Sequence, residues 1–117
     1  MGLVNVPDIP ELQVAPGIIA RAITTQTVTV LHVKISAEAV LPEHSHHNEQ
    51  ILNVIDGELE LEVDGKQYEL GPGTSFAIPP NIVHSGRALS DCVVIDVFHP
   101  AREDFRGGTF EGYNSGR

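Results

Sequence analysis

A chain of 117 residues has room for one buried core and not for a second. Its formal net charge of −9 argues against nucleic acid, whose backbone is bound by clustered Lys and Arg, and against anionic membrane surfaces. With 41% hydrophobic and 20% charged residues it has the balance of a globular protein, and no apolar run approaches the roughly 20 residues of a membrane span.

The elements follow in chain order. Residues 1–5 have neither a basic nor an apolar leader region, so the cytoplasm is the expected compartment. The lone Cys92 forms no internal disulfide, suits a reducing setting, and sits in an apolar run as a buried inert thiol. Residues 1–15 carry Pro7 and Pro10 and read as an extended arm or an edge strand. Residues 18–23 and 27–35 are rich in Val, Ile, Thr and Leu and predict two strands. His32, inside the second, is expected as a hydrogen-bonded core or surface histidine. Residues 36–41 read as a connection, 42–50 carry the histidine cluster, and 51–55 predict a strand. Asp56-Gly57 is a hairpin signal. In residues 58–63 three Glu alternate with Leu59, Leu61 and Val63, so the apolar set faces a core and the acids face water. Asp64-Gly65 predicts a second hairpin, with its return strand at 66–70. After the turn Gly71-Pro72-Gly73 comes a strand at 74–78, broken by Pro79-Pro80-Asn81. Residues 85–91 read as a loop, 92–98 as an apolar strand with Asp96 inside it, and 101–105 as a short helical turn. Short strands with turn signals every eight to twelve residues mean an all-β sandwich or barrel.

The chemistry concentrates in Pro42-Glu43-His44-Ser45-His46-His47-Asn48-Glu49-Gln50 and, at a distance, in Pro79-Pro80-Asn81-Ile82-Val83-His84. His44 and His46 are two apart and project to one side of an extended chain; Gln50 joins them if the chain stays extended. Together with His84 they make a set of three imidazoles and one neutral amide oxygen. Such a set suits Fe, Ni, Zn, Mn or Cu and leaves positions open for water or substrate, as catalytic metal sites do. The alternative is a polar loop that happens to be rich in His. His47 and Glu49 alternate with the ligands and are expected outside the metal's reach; His99 is expected in solvent.

These residues resemble the two motifs of a small single-domain cupin. His44, His46, Gln50 and Gly57 fall at the spacing of the first motif, G-x5-H-x-H-x3,4-E-x6-G, with Gln50 in the Glu slot and Glu38 in place of the first glycine. Gly73, Pro79 and His84 match the second, G-x5-P-x-G-x2-H-x3-N, with Asn81 for its middle glycine and Ala88 for its final Asn. The resemblance covers about residues 17–105. It implies a double-stranded β-helix, a jelly-roll-like barrel of two antiparallel sheets. Residues 1–117 would form one domain, with an arm at 1–15, a barrel core at 17–105 and a polar Gly-rich tail at 106–117 that is loosely ordered or docked on a partner.

The end of the core, Asp96-Val97-Phe98-His99-Pro100-Ala101-Arg102-Glu103-Asp104-Phe105, resembles the D-x-F-x-P-x-R-E-D-F ending of the pectin-degradation cupins, which convert unsaturated uronates to open-chain keto sugars. That likeness implies pocket roles for Asp96, Phe98 and Arg102. An Asp in an apolar strand is costly unless paired or functional, and burial would raise its pKa into the range of a general acid or base. A structural hydrogen bond or ion pair near the barrel mouth is the alternative for Asp96. For Arg102 the alternatives are a bidentate grip on a substrate carboxylate or a surface ion pair with Glu103 or a neighbouring strand. Arg21 and Arg87 are weaker anion-binding candidates. Three functions stand open: a metal-dependent isomerase or lyase moving a proton on an acidic sugar or keto acid, an Fe-dependent dioxygenase, and a non-catalytic module that binds or senses a small ligand. A one-domain transcription regulator is not expected. A homodimer is, partly because the resemblance to the cupins implies one and partly because an apolar extended arm must pair somewhere.

Overall fold

Ten strands build the computed structural model, which describes residues 2–108, 110, 112 and 113. They are β1 (Leu12–Ala15), β2 (Ile18–Thr24), β3 (Thr29–Ile35), β4 (Val40–His44), β5 (Glu49–Asp56), β6 (Leu59–Val63), β7 (Lys66–Leu70), β8 (Ser75–Ile78), β9 (His84–Ala88) and β10 (Cys92–His99). One sheet has six strands in the order β1-β2-β3-β10-β5-β8; the other has four, β4-β9-β6-β7. All the pairings are antiparallel. Alternate residues from the two inner faces meet as one core: Leu31, Leu52, Val54, Val94 and Phe98 from the large sheet, Leu59, Leu61 and Val63 from the small one. This is the expected all-β barrel of two antiparallel sheets.

The Glu/Leu alternation of β6 folds as the pattern requires, and Asp64-Gly65, both at positive φ, closes the hairpin to β7. Asp56-Gly57 does something else. β5 and β6 lie in different sheets, so this turn carries the chain across the barrel instead of closing a hairpin. Gly57 has φ 87 and packs on the start of β10; a Cβ there would lie 2.8 Å from Cys92 Sγ.

Residues 85–91, read as a loop, contain most of β9. Its Ser-Gly-Arg centre has little strand propensity of its own. It is held as a strand because β6 pairs along one side and β4 along the other. β4 likewise begins at Val40, inside the expected connection, and the helical turn expected at 101–105 starts at Glu103 as a 3-10 turn, with a kink at Arg106 and Gly107 before Gly108. The Cys92 thiol is buried and donates to Glu58 O at 3.2 Å; burial pushes its pKa up.

The arm is tied to its own sheet. After a 3-10 turn at Val6–Asp8, β1 pairs with β2 at the sheet edge. Arg21 holds it by donating to Ile9 O at 3.0 Å and pairing with Glu11 at 3.1 Å, and Arg87 pairs with Glu38 and Glu60. Both arginines are thereby engaged by carboxylates. Of the tail, Thr109, Glu111 and residues 114–117, Gly116 among them, lie outside the described residues. Phe110 stacks on Phe105 at 4.2 Å, and the Tyr113 N–H donates to Val14 O, so this part of the tail docks on the chain's own core.

Candidate metal centre

The histidine segment is the place where the chain changes sheets. β4 ends at His44, which pairs in register with His84 at the start of β9. The chain then bends through residues 45–48 and joins the large sheet at Glu49. His44 and His84 are thus supplied by the small sheet, His46 by the crossing and Gln50 by the large sheet. The crossing, and not even spacing along one strand, brings them together. Two contacts pin it. Asn48 is buried and its Nδ2 donates to Pro100 O at 2.7 Å and Ala101 O at 3.3 Å. On the other side Asn81 donates its N–H to His46 O at 2.8 Å. Asn81 has φ 65, a left-handed conformation that Asn tolerates, in the slot where the second motif has Gly.

The three rings lie close: centroids are 4.2 Å apart for His44 and His84, 5.0 Å for His46 and His84, and 5.7 Å for His44 and His46. One nitrogen from each falls within 4.8 Å of the others. Each Nδ1 faces a backbone carbonyl: Pro42 O at 2.8 Å for His44, Asn48 O at 3.0 Å for His46, Ile82 O at 2.8 Å for His84. A carbonyl only accepts, so each Nδ1 carries the proton and each Nε2 presents a bare lone pair. Burial, helped by repulsion from Arg102 and between the imidazoles when they charge, holds the pKa of His44 and of His46 down to about 4; burial lowers that of His84 as well. At neutral pH the rings are neutral.

Two features fit a cation at the point of convergence. His84 Nε2 is buried with no hydrogen-bond partner. Gln50 Oε1 lies 3.2 Å from His46 Nε2, and with that nitrogen unprotonated two acceptors face each other. Either arrangement costs free energy unless a positive charge is shared among the lone pairs. The Gln50 amide is oriented from behind, where its Nε2 donates to Asp96 Oδ1 at 2.8 Å. That bond follows from the sheet: Gln50 faces Phe98 across β5 and β10, and Asp96 is the diagonal neighbour.

A cavity of about 60 Å³ adjoins the cluster, with walls that include Leu31, Leu52, Leu61, Asp96, Phe98 and Arg102. Asp96 is buried, and desolvation raises its pKa to about 6 against the opposing pull of the Gln50 amide and Arg102. The Phe98 ring stands edge-on to His46 at 5.5 Å and 4.9 Å from Arg102 Cζ. Arg102 is 5% exposed, so the surface pairing expected with Glu103 does not form. Its Nε and Nη2 bind Asp104 at 2.9 and 2.6 Å, while Glu103 pairs with Arg106. His47, Glu49 and His99 are exposed, and His32 points to the outer face of β3. The residue that sequence reasoning missed is Tyr113, whose ring lies 4.5 Å from that of His44. The signal was an aromatic pair, Phe110 and Tyr113, in a tail otherwise rich in Gly.

A protein-family model, the Cupin domain, matches residues 31–98. The chain belongs to the cupin family. This cupin superposes on KdgF from Halomonas sp. with a TM-score of 0.82 and 32% identity, over 89% of this chain and 97% of that one. An RmlC-like cupin from Shewanella frigidimarina gives a TM-score of 0.84 and 25% identity, over 90% and 96% of the two chains. In sequence the cupin is 33% identical over 70 residues to the uncharacterized HTH-type transcriptional regulator YobQ of Bacillus subtilis. The match takes in 56% of this chain and 29% of that relative's length.

Proposed function

We propose that this cupin is a metal-dependent enzyme of the isomerase or lyase type that moves a proton on an acidic sugar or keto acid. The observation that carries the reading is the placement of Asp96, a buried carboxyl one amide away from three converging histidines. His44, His46, His84 and Gln50 would hold one divalent transition metal: Fe, Ni, Zn, Mn or Cu. When bound, the metal polarises a carbonyl or hydroxyl oxygen of the ligand as a Lewis acid. Gln50 supplies a neutral oxygen where most members of the family supply a carboxylate, so none of the four residues that would hold the cation offsets its charge. That favours an anionic ligand or one that forms an enolate. The Gln50 amide holds Asp96 Oδ1, and Oδ2 has no hydrogen bond among the described residues. Asp96 is largely ionised at neutral pH and takes the proton there. Phe98 and Arg102 form the wall that receives the ligand's acidic end, and the apolar lining excludes water. The 32% identity to KdgF and the core ending shared with the pectin-degradation cupins support an unsaturated uronate as the first substrate to try.

The test is to load the protein separately with Ni, Zn, Mn and Fe and assay unsaturated uronates without and with oxygen. Turnover under nitrogen with a redox-inert ion is expected. Turnover that requires both Fe and oxygen would replace proton transfer by the dioxygenase reading. The likeness to YobQ favours a second reading, a ligand-sensing module, whose mark would be ligand-stabilised melting without turnover. A cytoplasmic homodimer is the setting we infer. Ile51, Ile55 and Val93 are exposed on the outer face of β5 and β10, where a second copy would cover them. No helix among the described residues is long and apolar enough to cross a membrane.

A further inference from the structure

The tail brings one more polar group into the pocket. The chain has two tyrosines. Tyr68 packs against Phe76 at 4.7 Å, on the far strand of the small sheet. Tyr113 lines the cavity beside the histidines. It is seated from three sides. Its ring lies 4.5 Å from that of His44 and 5.3 Å from Phe110, and its N–H is bonded to Val14 O. Gly112 before it, at φ 92, lets the chain approach β1 so closely that a Cβ would sit 2.9 Å from Gln13 O.

The hydroxyl is the informative atom. Arg102 Nη2 donates to it at 2.9 Å. A guanidinium has donors only, so the phenol oxygen accepts this bond and keeps its own proton to give elsewhere. No acceptor among the described residues takes that proton. Arg102 Nη1 is likewise without a partner among them, because Asp104 binds Nε and Nη2. Two donor groups on adjoining side chains are therefore without an acceptor among the described residues, and both side chains line the cavity that His44 and His84 also line. A carboxylate, which only accepts and has about four lone-pair sites, would satisfy both.

We propose that Tyr113 is a specificity-determining residue: its hydroxyl, together with the Arg102 guanidinium, receives the carboxylate of the ligand. The inference rests on the reading of the pocket as a site for an acidic small molecule. The test is calorimetric titration of the nickel-loaded full chain with galacturonate and galactose, which share a ring and differ in carboxylate against hydroxymethyl. Wild type is expected to prefer galacturonate. Tyr113→Phe keeps the ring against His44 and Phe110; it is expected to bind galacturonate about ten-fold more weakly, the weight of one hydrogen bond to a charged group, with galactose unchanged. If Tyr113→Phe keeps the full preference while Arg102→Gln loses it, Tyr113 has no part in recognition. Equal weakening for both sugars makes its role one of packing and overturns the proposal too. A wild type that binds neither sugar, or both alike, refutes the acidic-ligand reading itself and this inference with it.

Discussion

Asp96 is costly to bury, and its surroundings show what offsets the cost: one amide donor on Oδ1 and the nearby Arg102. Asparagine at this position keeps an oxygen to accept from Gln50, so the amide still turns its own oxygen toward the histidines. Asp96→Asn should therefore hold metal to within about three-fold of wild type while losing about 10²-fold or more in turnover, the usual weight of a general base. In wild type only the ionised carboxyl accepts a proton. Activity should rise with pH through an apparent pKa at or below about 6, lower in the loaded protein because a neighbouring cation favours the carboxylate. Steady-state kinetics across pH on both proteins checks this; an Asp96→Asn variant with full turnover would remove Asp96 from the chemistry. His44, His46, Gln50 and His84 were legible as a set because the chemistry of a metal site restricts residue type and spacing together. Tyr113 was not, because its role depends on where a Gly-rich tail docks. Nor was the Arg102–Asp104 pair: burial of Arg102, invisible in its local sequence, selects Asp104 over the expected Glu103.

At the scale of elements, two positions of the first motif carry opposite lessons. Glu38 occupies the slot of the first glycine and has φ 72. Gly57 occupies the slot of the last and has φ 87. The left-handed conformation costs a side chain about 1–2 kcal/mol. At Glu38 that cost is tolerated in the open, where the side chain reaches Arg87 at 3.0 Å in an exposed ion pair worth at most about 1 kcal/mol. At Gly57 the backbone of Asp91 and Cys92 leaves no room for a Cβ. Glu38→Gly is expected to change stability by less than about 1 kcal/mol, since relief of strain is set against the lost pair and the freer unfolded chain. Gly57→Ala is expected to cost about 2–4 kcal/mol from strain and overlap combined. Denaturant midpoints compare the two, and a Gly57→Ala protein as stable as wild type would contradict the crossing described for β5 and β6. The strands that could be read from the sequence were those whose own pattern decides them, β6 and β7 above all. β9 could not, since its partners impose it.

Over the whole molecule, the cluster ties stability to pH. The unfolded chain protonates His44 and His46 near the ordinary 6.5, whereas the fold holds both down to about 4. As pH falls between those values the unfolded state takes up protons that the metal-free fold refuses, and stability is lost. Asp96 acts the other way, since the fold protonates it near 6 and the unfolded chain near 3.8. One carboxyl opposes two histidines, with His84 on their side, so the net direction is clear. The melting temperature of metal-free protein should drop as pH goes from 6.5 toward 4; calorimetry showing it flat or rising would mean that the rings are not held neutral. The central claim is that three lone pairs and one amide oxygen converge to hold a cation. Elemental analysis of wild type and His84→Ala, each incubated with a divalent metal and passed through a desalting column, tests it most directly. One ion per wild-type chain, and near zero in His84→Ala, is the expected result. A wild type that stays metal-free, or a His84→Ala chain that keeps a full equivalent, would contradict it.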